Sequence, residues 1–187
     1  DLLGGADLAA WFAWRFPGYH VVYGPTEGDR QGNLLLSRYR TAAEGSLRFP
    51  RLAADEQRGL TWVRVPTAGG DFTFIVTHFS AWKDEEADRM GQAEGILAFW
   101  RGQPHTAVAG DLNQTPDGPP IRCLTDGGLA DLAAAAGLGG KPTFSSRRPS
   151  RRIDYLFGSA DLQVTHAGVP ESAASDHLPV VVAVRLP

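Results

Sequence analysis

The sequence holds a single cysteine, Cys123, among 187 residues. No internal disulfide can form and a zinc site built from cysteines is excluded, so Cys123 is expected to fill space and leaves the redox compartment open. No apolar run approaches the roughly 18 residues of a membrane-crossing helix, and no basic stretch leads into an apolar one as in a secretory signal, so the chain reads as soluble. Positive charge is not in excess: 18 Lys and Arg stand against 21 Asp and Glu, a formal net charge of -3. No overall field then draws nucleic acid or an anionic membrane, and any contact with a polyanion must be local. A G-x-S-x-G elbow is missing, which weighs against a Ser/His/Asp hydrolase. Repeats, low-complexity tracts and linkers are missing too. With 43% hydrophobic and 21% charged residues, the chain suits one well-buried core, a single domain over 1–187.

Within that frame, period and punctuation predict many strands with helices between them. Asp7 precedes a short apolar helix that Pro17 and Gly18 stop. Strands are expected over 19–23, 32–40 and, more weakly, 46–50. The runs 58–66 and 71–77 flank Thr67-Ala68-Gly69-Gly70, a hairpin signal. Acids in the first turn and apolar residues at helical spacing mark a crossover helix over 84–100. A buried strand begins at Thr106, and helical stretches follow over 119–125 and 129–136. Pro142 to Phe144 opens a short strand, and runs at 152–157, 162–169 and 178–186 close the chain. The last is apolar at nearly every position, as in a central strand covered on both faces. The pattern is a two-layer β-sandwich with helices outside, in the α/β or α+β class.

The stretch Thr106 to Pro116, TAVAGDLNQTP, organises the rest. Small and β-branched residues run into Gly110-Asp111-Leu112-Asn113, so a buried strand delivers a carboxylate and an amide into a loop. Alone this is an ordinary turn. Three further strand ends carry residues of the same kind: Thr77-His78, Arg152-Ile153-Asp154-Tyr155 and Ser175-Asp176-His177-Leu178-Pro179. Singly, His78 reads as a satisfied strand-end histidine, Asp154 as a partner for Arg152, and Ser175-Asp176 as a cap. Together they suggest one site. Asp111 and Asp176 are hard oxygen donors suited to magnesium or manganese, and Asn113, two residues on, can serve the same ligand. His78 and His177 can donate to a phosphoryl oxygen, and Asp154 can fix the tautomer of a neighbouring imidazole.

VTHF at 76–79, AGDLNQTP at 109–116, RRIDYLF at 151–157 and SDHLPVVV at 175–182 resemble, in order and spacing, the motifs of the endonuclease/exonuclease/phosphatase superfamily. These are metal-dependent hydrolases that share a fold with deoxyribonuclease I, the apurinic endonucleases and the neutral sphingomyelinases. Gly32 to Arg38 and Arg58-Gly59-Leu60 resemble the family's early strands. The resemblance implies a four-layer α/β/β/α sandwich of two mainly antiparallel sheets and Mg2+- or Mn2+-dependent hydrolysis of phosphate esters. It gives Asp111 the attacking water, Asn113 its orientation or a phosphate contact, His78 and His177 the scissile phosphate, Asp154 the pairing with His177, and Asp176 a share of the metal or of positioning the water.

Family members also carry an asparagine-bearing strand and a glutamate-bearing strand ahead of the helix that here follows Asp7, so the resemblance implies an N-terminally truncated domain. Weak metal binding and slow turnover by this chain are then expected, with a non-catalytic phosphate- or nucleic-acid-binding module as the alternative. An uncovered strand edge and the apolar face of the first helix predict self-association. For substrate the sequence leaves nucleic acid, a phospholipid head group and a small phosphodiester open. Arg147, Arg148, Arg151 and Arg152 form either a nucleic-acid contact or a solvated loop, and Trp82 with Lys83 either a substrate wall or a helix cap.

Overall fold

The computed structural model describes residues 5–28 and 30–187. They open with α1 (Gly5–Arg15), which begins ahead of Asp7 and leaves that acid in the first turn. β1 (His20–Glu27) and β2 (Gln31–Ser37) form an antiparallel hairpin. β1 does not stop at Gly24-Pro25 but pairs through them, Gly24 with Asn33 and Pro25 with Gly32. β3 (Ala43–Arg48) lies antiparallel to β4 (Gly59–Thr67), and β4 pairs with β5 (Gly70–His78) from Thr67↔Gly70 to Leu60↔Thr77.

α2 (Glu86–Trp100) is the crossover that lets β6 (Thr106–Asp111) run parallel to β5. α3 (Pro119–Asp126) and the two-residue β7 (Ala130–Asp131) follow. β8 (Asp154–Gly158) then pairs antiparallel with β6, and β9 (Gln163–Gly168) with β10 (Val181–Arg185). The strands make a six-stranded sheet in the order β3-β4-β5-β6-β8-β7 and two two-stranded sheets, β1-β2 and β10-β9.

Packing sorts these elements into layers. One face of the large sheet presents Leu60, Ile75, Val108 and Phe157 to Ala93, Ile96 and Trp100 of α2 and to Ile121 and Leu124 of α3. On the opposite face, Val22 and Leu35 rest on Val63 and Val65, while Val164, Val182 and Val184 cluster with Ala107 and Leu162. Phe74 joins both clusters. α1 lies against β1 and β2, completing a mixed α/β sandwich with helices outside. Its Leu8, Trp11, Trp14 and Phe16 are exposed.

Two expectations fail locally. The stretch 129–136 is helical only from Leu132: β7 takes Ala130 and Asp131, and Leu132 and Ala133 lead into a π-helical segment, Ala134–Leu138, with Gly137 in the left-handed region. The Asp131 carboxylate, accepting from the Ala134 N–H and from Arg152, holds the chain in that shape. The final apolar run is not covered on both faces either. Val181, Ala183 and Arg185 are exposed and alternate with half-buried Val182 and Val184. An apolar run alone does not reveal how many faces are covered.

Two buried carboxylates hold the loops around the end of β5. Asp88 accepts from the N–H groups of Leu52, Ala53 and Ala54 at 2.7, 3.0 and 3.1 Å. Glu85 accepts from Asp55 and Trp82 at 3.1 and 3.0 Å. Such charge-assisted bonds to backbone offset the desolvation of the acids.

Gly110 shows how tightly β6 sits on β5, since a Cβ there would lie 2.1 Å from the Thr77 carbonyl oxygen. Gly110→Ala is expected to cost about 2–3 kcal/mol in chemical denaturation by forcing the strands apart; a variant as stable as the parent would contradict this packing.

Candidate active site

The register of the large sheet gathers the chemistry. β5 and β6 run parallel, so their last residues, His78 and Asp111, are direct neighbours. β8 runs the other way, so its first residue, Asp154, faces Asp111. Residues directly opposite across neighbouring strands project to one face about 5 Å apart. A histidine and two carboxylates from three separate motifs therefore share one sheet end.

His177 reaches them by a different route. Phe144 bridges both Arg151 and His177, and the Leu178 N–H donates to the Thr143 carbonyl at 2.7 Å. The Thr143 hydroxyl, fully buried, accepts from the N–H groups of Ile153 and Asp154 at 3.2 Å each. Thr143 thus ties the loop bearing His177 to the strand bearing Asp154. The Phe144 ring lies 4.8 Å from the imidazole of His177, with Arg151 stacked over it.

In the resulting site, His177 Nδ1 bonds Asp154 Oδ2 at 2.9 Å and Oδ1 at 3.1 Å. Its other nitrogen, Nε2, stands 3.8 Å from Asp111 Oδ2. His78 Nε2 approaches the same Asp111 oxygen at 3.6 Å. Asn113 adopts a left-handed backbone with φ 48, which an Asx residue tolerates better than most. Its N–H donates to Asp111 Oδ1 at 2.8 Å. Its side-chain amide donates to His78 Nε2 and to the Phe79 carbonyl, each at 3.1 Å. Both amide hydrogens are then engaged, and Oδ1 is what Asn113 has left to offer a ligand.

The two imidazoles differ in charge. Burial, with the nearby Arg58 guanidinium and His177, pushes His78 down to about 4, so it is neutral at pH 7, its proton on Nδ1. The 3.6 Å approach to Asp111 is accordingly no ion pair. For His177 burial alone would lower the pKa, but the hydrogen bond and charge of Asp154, with Asp111 and Asp176, outweigh it and raise it. Asp111 is pushed up to about 6, first by burial and further by the charge of Asp154, against the opposing Asn113 N–H.

Asp111, Asp154 and His177 offer ligand atoms within 4.8 Å of one another. Two carboxylates, with the Asn113 oxygen that its own hydrogen bonds leave open, form a donor set for a hard divalent cation, whose charge would relieve the repulsion felt by Asp111. Asp176 stands apart. Its carboxylate is exposed, accepts from Ser175 Oγ at 3.3 Å, and lines a neighbouring cavity. Arg152 is also no ligand contact, because it is buried, pairs with Asp131 at 2.7 Å and stacks on Tyr155.

Arg58 is a residue to which the early-strand resemblance of Arg58-Gly59-Leu60 attached no site role. It immediately precedes β4, whose first residues flank the end of β5, and it lines a cavity of about 460 Å³ together with His78 and Asn33. Only 8% exposed, it pairs with Glu56, yet its Nε has no hydrogen-bond partner among the described residues. The hairpin signal at Thr67 to Gly70 contained this information, since a fixed turn fixes which residue of β4 sits beside His78.

The sequence matches the Endonuclease/Exonuclease/phosphatase family over residues 1–177. No curated protein matches it. Among solved structures it is similar to a mannosyl-6-phosphatase from Bacteroides thetaiotaomicron, with a TM-score of 0.81 and 18% identity over 97% of this chain and 82% of that one. It is also similar to an endonuclease/exonuclease/phosphatase from Beutenbergia cavernae, with a TM-score of 0.78 and 26% identity over 96% of this chain and 57% of that one. The human Nocturnin catalytic domain with bound sulfate gives a TM-score of 0.75 and 19% identity over 93% and 74% of the two chains. At these identities the likeness establishes the mixed α/β fold.

Because the folded-state pKa of Asp111, about 6, lies above its ordinary 3.8, the folded protein holds an extra proton between those values. Its contribution to stability is present below about pH 4 and lost as pH rises through 6. Metal-free Asp111→Asn is therefore expected to be more stable than the parent at pH 7, by on the order of 1–3 kcal/mol, and not at pH 4. Thermal unfolding at both values checks this; equal or lower stability at pH 7 would contradict it.

Proposed function

Because the chain belongs to the endonuclease/exonuclease/phosphatase family, a family of phosphoesterases, we propose that it is a divalent-metal-dependent hydrolase of phosphodiesters or phosphomonoesters acting by in-line attack of an activated water. The observation that carries this reading is the convergence of Asp111, Asp154 and His177 within 4.8 Å at one sheet end.

Asp111 and Asn113 would hold a Mg2+ or Mn2+ ion, with Asp154 and His177 in reach. Asp176 is left out of the set because it is exposed and is not among the groups that converge within 4.8 Å. When bound, the cation supplies charge against the phosphoryl oxygens and lowers the pKa of the attacking water. The rest falls to side chains. Asp111, half-buried at the end of β6, is placed to align and activate the attacking water. Asn113, its amide hydrogens engaged, turns Oδ1 toward the same water. Asp154 holds the His177 ring through Nδ1, so Nε2 is free to donate to a phosphoryl or leaving oxygen. Neutral His78 contributes a dipole and not a charge. Arg58, buried with an open Nε–H, adds fixed positive potential beside it.

Arg58 is buried and the other groups are half-buried and hydrogen-bonded to one another, which supports preorganised electrostatic catalysis. The net charge of -3 and the engagement of Arg152 with Asp131 argue for a small ester over duplex DNA.

With manganese, the protein is expected to hydrolyse bis-p-nitrophenyl phosphate or p-nitrophenyl phosphate and to stop when EDTA is added. Asp111→Asn or His177→Gln should lower kcat about 10²–10⁴-fold. Turnover that survives either change, or no turnover with any divalent ion, would contradict the proposal.

A further inference from the structure

Beside the cavity of about 370 Å³ that contains Asp111, Asp154 and His177 lies a larger one of about 1200 Å³. Ser172, Ser175 and Leu178 line both, so the two adjoin. The larger one is not assembled from slack loops. Its two walls are tied at the base by Ser146 N–H to the Asp176 carbonyl and by Ser146 Oγ to the Ser175 carbonyl, each at 2.7 Å, and by Leu178 N–H to Thr143.

The walls differ in chemistry. One carries Lys141 and Arg147, and the other Glu171 and Asp176. Lys141, Arg147 and Glu171 have neither an ion pair nor a side-chain hydrogen bond among the described residues. No aromatic side chain lines the space.

We propose that this cavity seats the non-reacting part of the substrate and that this part is a sugar or other polyol. The proposal rests on the phosphoesterase reading of the adjoining site. A ligand of one charge sign cannot satisfy both walls, whereas a hydroxyl donates to a carboxylate and accepts from an ammonium or guanidinium. Neighbouring hydroxyls on a ring can engage both walls at once. Other classes fit less well. A nucleobase finds no ring to stack on, flanking phosphates of a nucleic acid meet two carboxylates, and acyl chains meet four charged side chains.

The test compares glucose 6-phosphate with p-nitrophenyl phosphate in manganese, using the parent, Glu171→Gln and Lys141→Ala. Each substitution is expected to raise KM for glucose 6-phosphate at least fivefold while leaving kcat and KM for p-nitrophenyl phosphate unchanged. Equal changes for both esters, or none for either, would overturn the proposal, as would a single-stranded oligonucleotide proving the better substrate. Should the parent hydrolyse none of these, the phosphoesterase reading fails, and titration calorimetry still tests the cavity. Glucose 6-phosphate binding that weakens at least fivefold in Glu171→Gln supports the polyol site, and absence of binding to the parent overturns it. Circular dichroism of both variants, altered only at exposed positions, separates a lost contact from a lost fold.

Discussion

Everything at the site depends on the parallel pairing of β5 with β6. Only a crossover of α2's length lets two strands end side by side at the same edge, and that edge is where His78 meets Asp111. With β8 antiparallel on the far side, Asp154 joins them at its first residue and not its last. Slipping any of the three strands by one residue would turn a side chain to the opposite face. The close fit at Gly110, where the Thr77 carbonyl leaves no room for a methyl group, is one device that keeps the register.

Electrostatics then differentiates groups that look alike in the sequence. Asp154 is committed to a hydrogen-bonded imidazole, while Asp111, raised by desolvation and by the charge of Asp154, binds its proton more tightly than an ordinary aspartate. Of the histidines, one is kept neutral by burial and a neighbouring guanidinium, and the other is held toward the charged form by carboxylates. Pairs pushed apart in this way are what proton transfer and charge stabilisation require. Structure and function meet in Thr143, whose hydroxyl and carbonyl connect the strand of one carboxylate to the loop of the imidazole it orients.

Much of this was legible in the residues. The Thr67 to Gly70 turn, the apolar run into Asp111 and the acid-led helix before it each carry a local signal strong enough to survive tertiary context. Less legible was whatever depends on a distant partner. The alanine-rich stretch after Leu129 has helical propensity, but it starts only after the short β7, where Asp131 pairs with Arg152 and accepts from the Ala134 N–H, and it runs on as a π-helical segment. Val180 to Val184 is apolar whether one face or two are covered. Arg152 and its neighbours in sequence look equally basic, and only the fold shows Arg152 buried against Tyr155. Arg58, read in the sequence only as part of an early strand, shows its place beside His78 only in the fold. Asp176 and Asp154 read alike as strand-end acids, and only the pairing of β8 with β6 sets Asp154 opposite Asp111.

The account's central claim is that this sheet end presents oxygen ligands to a divalent cation at Asp111. Anomalous diffraction from crystals grown with manganese tests it most directly. The account predicts a single strong peak in coordination distance of Asp111, roughly 2.2 Å from a carboxylate oxygen, and lost in crystals of Asp111→Asn. A manganese peak elsewhere on the surface, with none at Asp111 at saturating concentration, would contradict it.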